Sequence, residues 1–256
     1  MKYGILSGKV DVLTSMPLAF NIAFATALVP TIAGAKVKND TKTIDKRISF
    51  SLLTTILIGL PCTLGMAMYA DQILHLLFPN ANAGGTLLAI SSITIIFTAL
   101  AQTINGALQG LGKVRIPAIA LGCGVLTKLI TNIILIPMEG VYENGAAIGS
   151  VLCHIVSFTI VYTVLRKNIK LNFKLSKIMI KPILATVIMG IISILFYNFS
   201  LKYIGGERIS TIIGIIIAII VYAINIILFK IYNEEDILML PKGEKILKIL
   251  KKLKIY

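Results

Sequence analysis

The sequence predicts an all-α, polytopic membrane fold, and three observations carry that prediction. Seven apolar segments, each near the roughly 20 residues a helix needs to cross a bilayer, alternate with short loops. Hydrophobic residues make up 57% of the 256 positions and charged ones 14%, with a mean hydropathy of +0.91; a water-soluble domain approaches about a quarter charged. The charge is also one-sided, because 20 of the 25 Lys and Arg fall in loops that would share one membrane face.

The first span is expected at about Val12–Ala35. Pro17 and Pro30 are its expected kinks, Asn21 is its one mid-span amide, and Ala19, Ala23 and Ala27 at four-residue steps predict a close-packing face. The second span is about Ile48–Ala70. The third, about Thr86–Gln109, carries Ser91, Thr94, Thr98, Gln102, Asn105 and Gln109 at steps of three and four, so all six share one helical face. Lipid does not solvate such a stripe. It predicts a watery cavity, or else hydrogen bonds to other helices, for which fewer polar groups would suffice.

The fourth span, about Val114–Met138, holds Lys128 roughly nine residues (about 14 Å) before Pro137. A lysine at such depth costs about 2.5–3.5 kcal/mol even on the mildest scale. Asn132 lies one turn on, and no acidic residue inside a span balances the charge; Asp11, at the mouth of the first span, is the nearest candidate. Two readings stand. The ammonium attracts an anionic substrate group such as a phosphate or pyrophosphate, or it binds helix-end carbonyls and serves structure. The fifth span, about Gly145–Leu165, aligns Ala146, Ser150, His154 and Ser157. The plainer expectation for His154 is a buried neutral ring bonded to Ser or backbone; the sharper one is proton coupling. The sixth and seventh spans, about Ile178–Asn198 and Ile209–Phe229, are Ile-rich with scattered polar groups and no stripe, and are expected at the periphery against lipid.

A net charge of +14 would suggest nucleic acid in a soluble chain. Here its placement excludes that partner and points to anionic lipid. Only Lys2, Lys9, Lys202 and Arg208 oppose the majority, so the positive-inside rule puts the C-terminus in the cytoplasm of a bacterial plasma membrane protein and the N-terminus outside. The first ten residues are too polar for a signal-peptide core. An external start without a signal leads to the expectation that this is the second part of a longer protein. The expected organisation is an external loop remnant over 1–11, a five-helix lobe portion over 12–165, and a basic cytoplasmic loop over 166–181. Two peripheral helices follow over 182–229, the first beginning near 178, and then a tail over 230–256. In that tail Ile246, Ile249, Leu250 and Leu253 fall on one helical face among lysines, suiting it to lie on the inner leaflet.

Chemistry-bearing motifs are lacking. Gly110-Leu111-Gly112-Lys113 has neither the spacing nor the Ser/Thr of a phosphate loop, and no zinc-protease motif, nucleophile elbow or pair of intramembrane carboxylates occurs. Cys62, Cys123 and Cys153 lie inside apolar spans without ligand spacing and read as packing residues. Neither an enzyme, a metal site nor a cofactor is expected, and energy for transport would come from an ion gradient or the membrane potential.

Leu108-Gln109-Gly110-Leu111-Gly112-Lys113 followed by Ile116-Pro117 resembles the turn joining the tenth and eleventh helices of polysaccharide flippases in the multidrug/oligosaccharidyl-lipid/polysaccharide exporter superfamily. Lys128-x-x-x-Asn132, Leu135-Ile136-Pro137 and Gly145-Ala146-Ala147 fit the next segment of that family, and Leu6-x-Gly8-Lys9-Val10 with Pro17-Leu18 and Leu28-Val29-Pro30 resembles its eighth helix. The nearest group is the stage V sporulation protein B-like proteins, relatives of lipid II flippases; the likeness covers about residues 3–230. It implies fourteen helices in two lobes around a central cavity. It further implies alternating access that moves undecaprenyl-pyrophosphate-linked sugars outward for cell-wall or spore-cortex construction.

On that resemblance the cavity residues would be Lys128 and Asn132, then Gln102, Asn105 and Gln109, with His154 and Asn21 beside them and Lys113 and Arg115 in the cytoplasmic gate loop. The implied partners are membrane lipid, the lipid-linked sugar, and a missing N-terminal lobe in cis or in trans. Some relatives have been assigned an acidic ion site on the eleventh helix; this chain offers Lys128 and Asn132 there, so ion coupling does not carry over. The segment Met138–Asn144 is about two residues longer than is usual in the family. Two rival readings remain: a multidrug or cation exporter of the same fold, and a non-transporting half-protein that assembles with a partner lobe.

Overall fold

A computed structural model describes residues 6–79, 83–138, 142–169, 175–239 and 243–252, which are helical with short connections and contain no strand. Seven of the helices are long and apolar enough to cross a membrane. The chain divides into two compact units, residues 1–174 and 175–256.

The first unit begins with a π-helical turn, Leu6–Val10, that runs directly into α1 (Asp11–Val37). The external loop expected over 1–11 is therefore helical from Leu6 onward. The reason is apolar anchoring: Val10 is fully buried, and with Leu13 it joins a cluster with Ala70, Leu74, Leu87, Leu88 and Ala147. Helix α1 continues across both Pro17 and Pro30. Its inward face is Leu13, Asn21, Ala25, Leu28, Ile32 and Ala35, while Ala19, Ala23 and Ala27 are exposed. The close-packing residue is thus Ala25, not the alanines predicted from their spacing. The partner helix explains this. A Cβ on Gly106 would collide with the Ala25 carbonyl, so glycine there lets the backbones touch.

Helix α2 (Thr41–Met68) starts seven residues before the expected Ile48. Asp40 is its N-cap, accepting from the Thr43 N–H at 3.0 Å and the Thr43 hydroxyl at 2.6 Å. Lys42, Lys46 and Arg47 consequently ride on the first turns of a helix instead of in a loop, a setting that long unbranched side chains tolerate well. A short helix absent from the sequence reading, α3 (Ala70–Leu77), follows and buries Ala70 and Leu74 in the cluster named above.

Helix α4 (Gly85–Gly110) is the central helix and packs against α1, α2 and α6. Leu88, Ile95, Leu100, Ile104 and Leu108 on it are almost wholly buried. Helix α5 (Arg115–Leu135) packs chiefly along α6 (Tyr142–Asn168). Gly124 makes that seam tight, since a Cβ there would collide with Ser157 Oγ and lie 2.6 Å from the Cys153 carbonyl. Much of the remaining surface of α5 is apolar and exposed, including Leu126, Leu129, Ile130 and Ile133.

In the second unit α7 (Leu175–Tyr203) and α8 (Glu207–Leu228) form a helical hairpin turned by Gly205 and Gly206 at φ +70° and +87°. Side-chain bonds across the pair include Ser193 Oγ to the Gly214 carbonyl at 2.9 Å and Asn225 Nδ2 to the Ala185 carbonyl at 3.3 Å. Beyond it come α9 (Glu234–Leu238) and α10 (Gly243–Lys252), tied by a Lys251–Glu234 ion pair of 2.7 Å. Helix α10 lies within the expected tail; Leu253 and the side chains of Ile246, Ile249 and Leu250, on which its expected apolar face rests, lie outside the described residues.

Candidate functional site

The intramembrane polar groups of the first unit fall into two zones. The first joins α1, α2 and α4. Asn21 is 3% exposed, and its Nδ2 donates to the Ala99 carbonyl at 2.8 Å and to Gln102 Oε1 at 3.1 Å. Its Oδ1 accepts from the Thr55 hydroxyl at 2.9 Å and from the Thr103 hydroxyl at 3.4 Å, and those two hydroxyls lie 2.7 Å apart. Asn21 was expected to line the cavity. Instead, all its hydrogen-bonding capacity is taken up inside a sealed three-helix node, because an amide in an apolar core is stable only when its polar atoms are satisfied. Thr55 and Thr103 are the members that sequence reading missed. Thr103 sits off the α4 stripe, next to Gln102, and Thr55 is one hydroxyl among several on α2.

The α4 stripe leaves this node on one side. Gln102 and Asn105 are half-buried and Gln109 is exposed near the helix end. Ser91 Oγ, Thr98 Oγ1 and Asn105 Oδ1 are buried with no hydrogen-bond partner among the described residues. Below Gln109 the chain turns sharply. Gly112, at φ +78°, adopts the left-handed conformation, and N–H groups of Leu111, Gly112 and Lys113 return to the carbonyls of Ala107, Gln109 and Leu108. Lys36 Nζ donates to the Leu111 carbonyl at 2.7 Å and joins this turn to the end of α1. Lys113 and Arg115 stand exposed beside it.

The second zone lies along α5 and α6. Lys128 and Asn132 are half-buried one turn apart on α5, on the side facing α6. Lys128 makes no hydrogen bond or ion pair with a described residue, and Asp11 does not reach it as an ion-pair partner. Asn132 Oδ1 is buried with no hydrogen-bond partner among the described residues and sits against Gly149, where a Cβ would collide with it. His154 is half-buried on α6. The Ser or backbone hydrogen bond expected for His154 does not occur among the described residues; Ser150 and Ser157 bond instead to the Ala146 and Ala120 carbonyls.

This arrangement of helices has counterparts among known proteins. The model of the lipid II flippase MurJ family matches residues 10–214. The chain belongs to that family. Relatives include the uncharacterized membrane protein YabM of Bacillus subtilis (strain 168), 26% identical over 91% of this chain and 44% of its own length. Lipid II flippase MurJ of the same organism is 26% identical over 84% and 40%, respectively. The probable low-salt glycan biosynthesis flippase Agl15 of Haloferax volcanii is 25% identical over 86% and 46%. The chain thus spans less than half the length of these relatives. A solved structure of lipid II flippase MurJ, in an inward closed conformation, superimposes with a TM-score of 0.62 at 18% identity, covering 84% of this chain and 46% of that one, which shows the shared fold. MurJ family membership and seven apolar helices make this a multi-pass membrane protein of a transporter family, as the resemblance at the α4–α5 turn implied.

Proposed function

We propose that this chain supplies the C-terminal part of a flippase that moves an undecaprenyl-pyrophosphate-linked oligosaccharide or peptidoglycan precursor outward across the plasma membrane by alternating access. Its other lobe would come in cis or in trans. The observation that carries the reading, within a MurJ family chain, is Lys128: a cation in mid-span with no described counter-ion. Burying such a charge is costly unless something anionic visits it, and a pyrophosphate does. A fixed cation there would repel a cationic drug, which weighs against the exporter alternative.

In this reading Lys128 and Asn132 receive the anionic head, Gln102, Asn105 and Gln109 line the path, and His154 lies at its edge. Lys113 and Arg115 act at a cytoplasmic gate, the α7–α8 pair stands against lipid, and the C-terminus with its basic helix rests on the inner leaflet. The test is a chimaera in which this chain replaces the matching segment of Bacillus subtilis MurJ, reconstituted in vesicles with fluorescent lipid II. Transport by the chimaera should be lost with Lys128→Ala and retained in part with Lys128→Arg, at equal protein levels. Full transport by the Lys128→Ala chimaera would remove Lys128 from the mechanism.

A further inference from the structure

The node around Asn21 fixes more than helix packing. A backbone carbonyl can only accept, so the Asn21 atom 2.8 Å from the Ala99 carbonyl must be its nitrogen. Its oxygen then faces the two threonine hydroxyls, as found. The second hydrogen of that nitrogen goes to Gln102 at 3.1 Å, and facing a donor, Gln102 must present its oxygen. The Gln102 Nε2 group is therefore left outside the node, and it donates to no described residue. On the same face, one turn to either side, lie Thr98 Oγ1 and Asn105 Oδ1, both buried and with no partner among the described residues.

Three successive turns thus offer a hydroxyl and two amide groups, donors and acceptors together, that no described residue uses in full. The chemistry of that set selects its ligand. Helix α4 carries no charged residue, so it does not balance a pyrophosphate. A sugar hydroxyl both donates and accepts, and matches all three positions.

We infer that Asn21 is a positioning residue that locks the Gln102 amide with its donors outward, and that Thr98, Gln102 and Asn105 form a subsite for the uncharged, hydroxyl-rich sugar portion of the transported lipid. This deepens the flippase reading and rests on it, separating a sugar zone on α4 from the anion zone at Lys128.

The experiment compares two probes on the full chain in lipid nanodiscs: undecaprenyl pyrophosphate, and the same lipid carrying a disaccharide. The wild-type chain should bind the sugar-bearing lipid about tenfold more tightly, the scale of one or two unshared hydrogen bonds. Gln102→Met and Asn21→Ala should each close that gap without weakening the bare lipid. In the Gln102→Met background Asn21→Ala should change the gap no further, which a purely structural role for Asn21 does not require. Lys128→Gln should weaken both lipids alike. If Asn21→Ala fails to fold, Gln102→Glu at pH 8 carries the test, since it keeps an oxygen for Asn21 and replaces the outward donor by an acceptor. A gap that persists in folded Gln102→Met or Gln102→Glu chains overturns the subsite alone. Binding of neither lipid by the wild-type chain overturns the flippase reading and the subsite with it.

Discussion

Helices α4 and α8 invert the rule that governs water-soluble proteins. Helix α8 is the most apolar of the seven spans, yet only 22% of its apolar stretch is buried; α4 carries the polar stripe and 67% of its apolar stretch is buried. In water the apolar helix would be the hidden one. Here the exterior is hydrocarbon, so an Ile-rich helix loses nothing by staying outside, while amides and hydroxyls must find partners within the protein. Packing between α4 and its neighbours then depends on close approach more than on hydrophobicity. Gly106 against the Ala25 carbonyl and the Asn21 node are examples.

The largest effect should come from disrupting that close approach. Gly106→Val places a branched side chain where even a Cβ collides with α1 backbone, which has no rotamer to escape into. The expected loss is upwards of about 3 kcal/mol, seen as a collapse of the thermal unfolding midpoint in detergent. A near-wild-type midpoint would mean that α1 and α4 are not in backbone contact, and that α4 is no better packed than α8.

A second substitution probes the other helix. Ile219, midway along α8 and 65% exposed, should face lipid. Ile219→Lys should cost about 2.5–3.5 kcal/mol in a translocon-insertion assay of the α7–α8 hairpin, with little change for Ile219→Leu. If the lysine inserts as readily as the native isoleucine, this face of α8 looks onto a polar partner and the contrast with α4 disappears.

How much of this was legible in the sequence follows from the same physics. The seven spans could be read because the length and apolarity needed to cross a bilayer are long-range signals. Which face each span turns inward could not, because lipid and protein interior are both apolar and the usual periodic contrast is weak. Hence Ala19, Ala23 and Ala27 looked like a packing face although Ala25 is the residue that packs. The polar stripe on α4 was visible because six polar residues at helical spacing stand out against isoleucine and leucine. The hydrogen-bonded node around Asn21 was not, since its four partners come from two other helices and only tertiary packing brings them together. Short elements escaped for a different reason: α3 is held by its place in the cluster around Leu74 and Leu88, not by its own propensity.

The smallest effect should lie at the water-exposed start of α2, where the ordinary rules of soluble helices return. Hydrogen bonds from the Thr43 hydroxyl and N–H, in that order of importance, hold the Asp40 carboxyl below the usual carboxylate value of 3.8. A group whose folded value is depressed stabilises the fold above its unfolded value and loses that contribution as pH falls through the folded one. Asp40 should therefore support the α1–α2 turn fully at neutral pH, and the support should fade below about pH 4, where carboxylates begin to protonate. Because the group is fully exposed, salt and water screen it and the effect is slight. Asp40→Asn retains an N-cap acceptor but cannot titrate, so the difference in unfolding midpoint between wild type and variant should shrink as pH is lowered from 7 to 3. A difference that stays constant over that range would show that the Asp40 carboxylate charge contributes nothing, and that the hydrogen-bond geometry at Thr43 alone starts the helix.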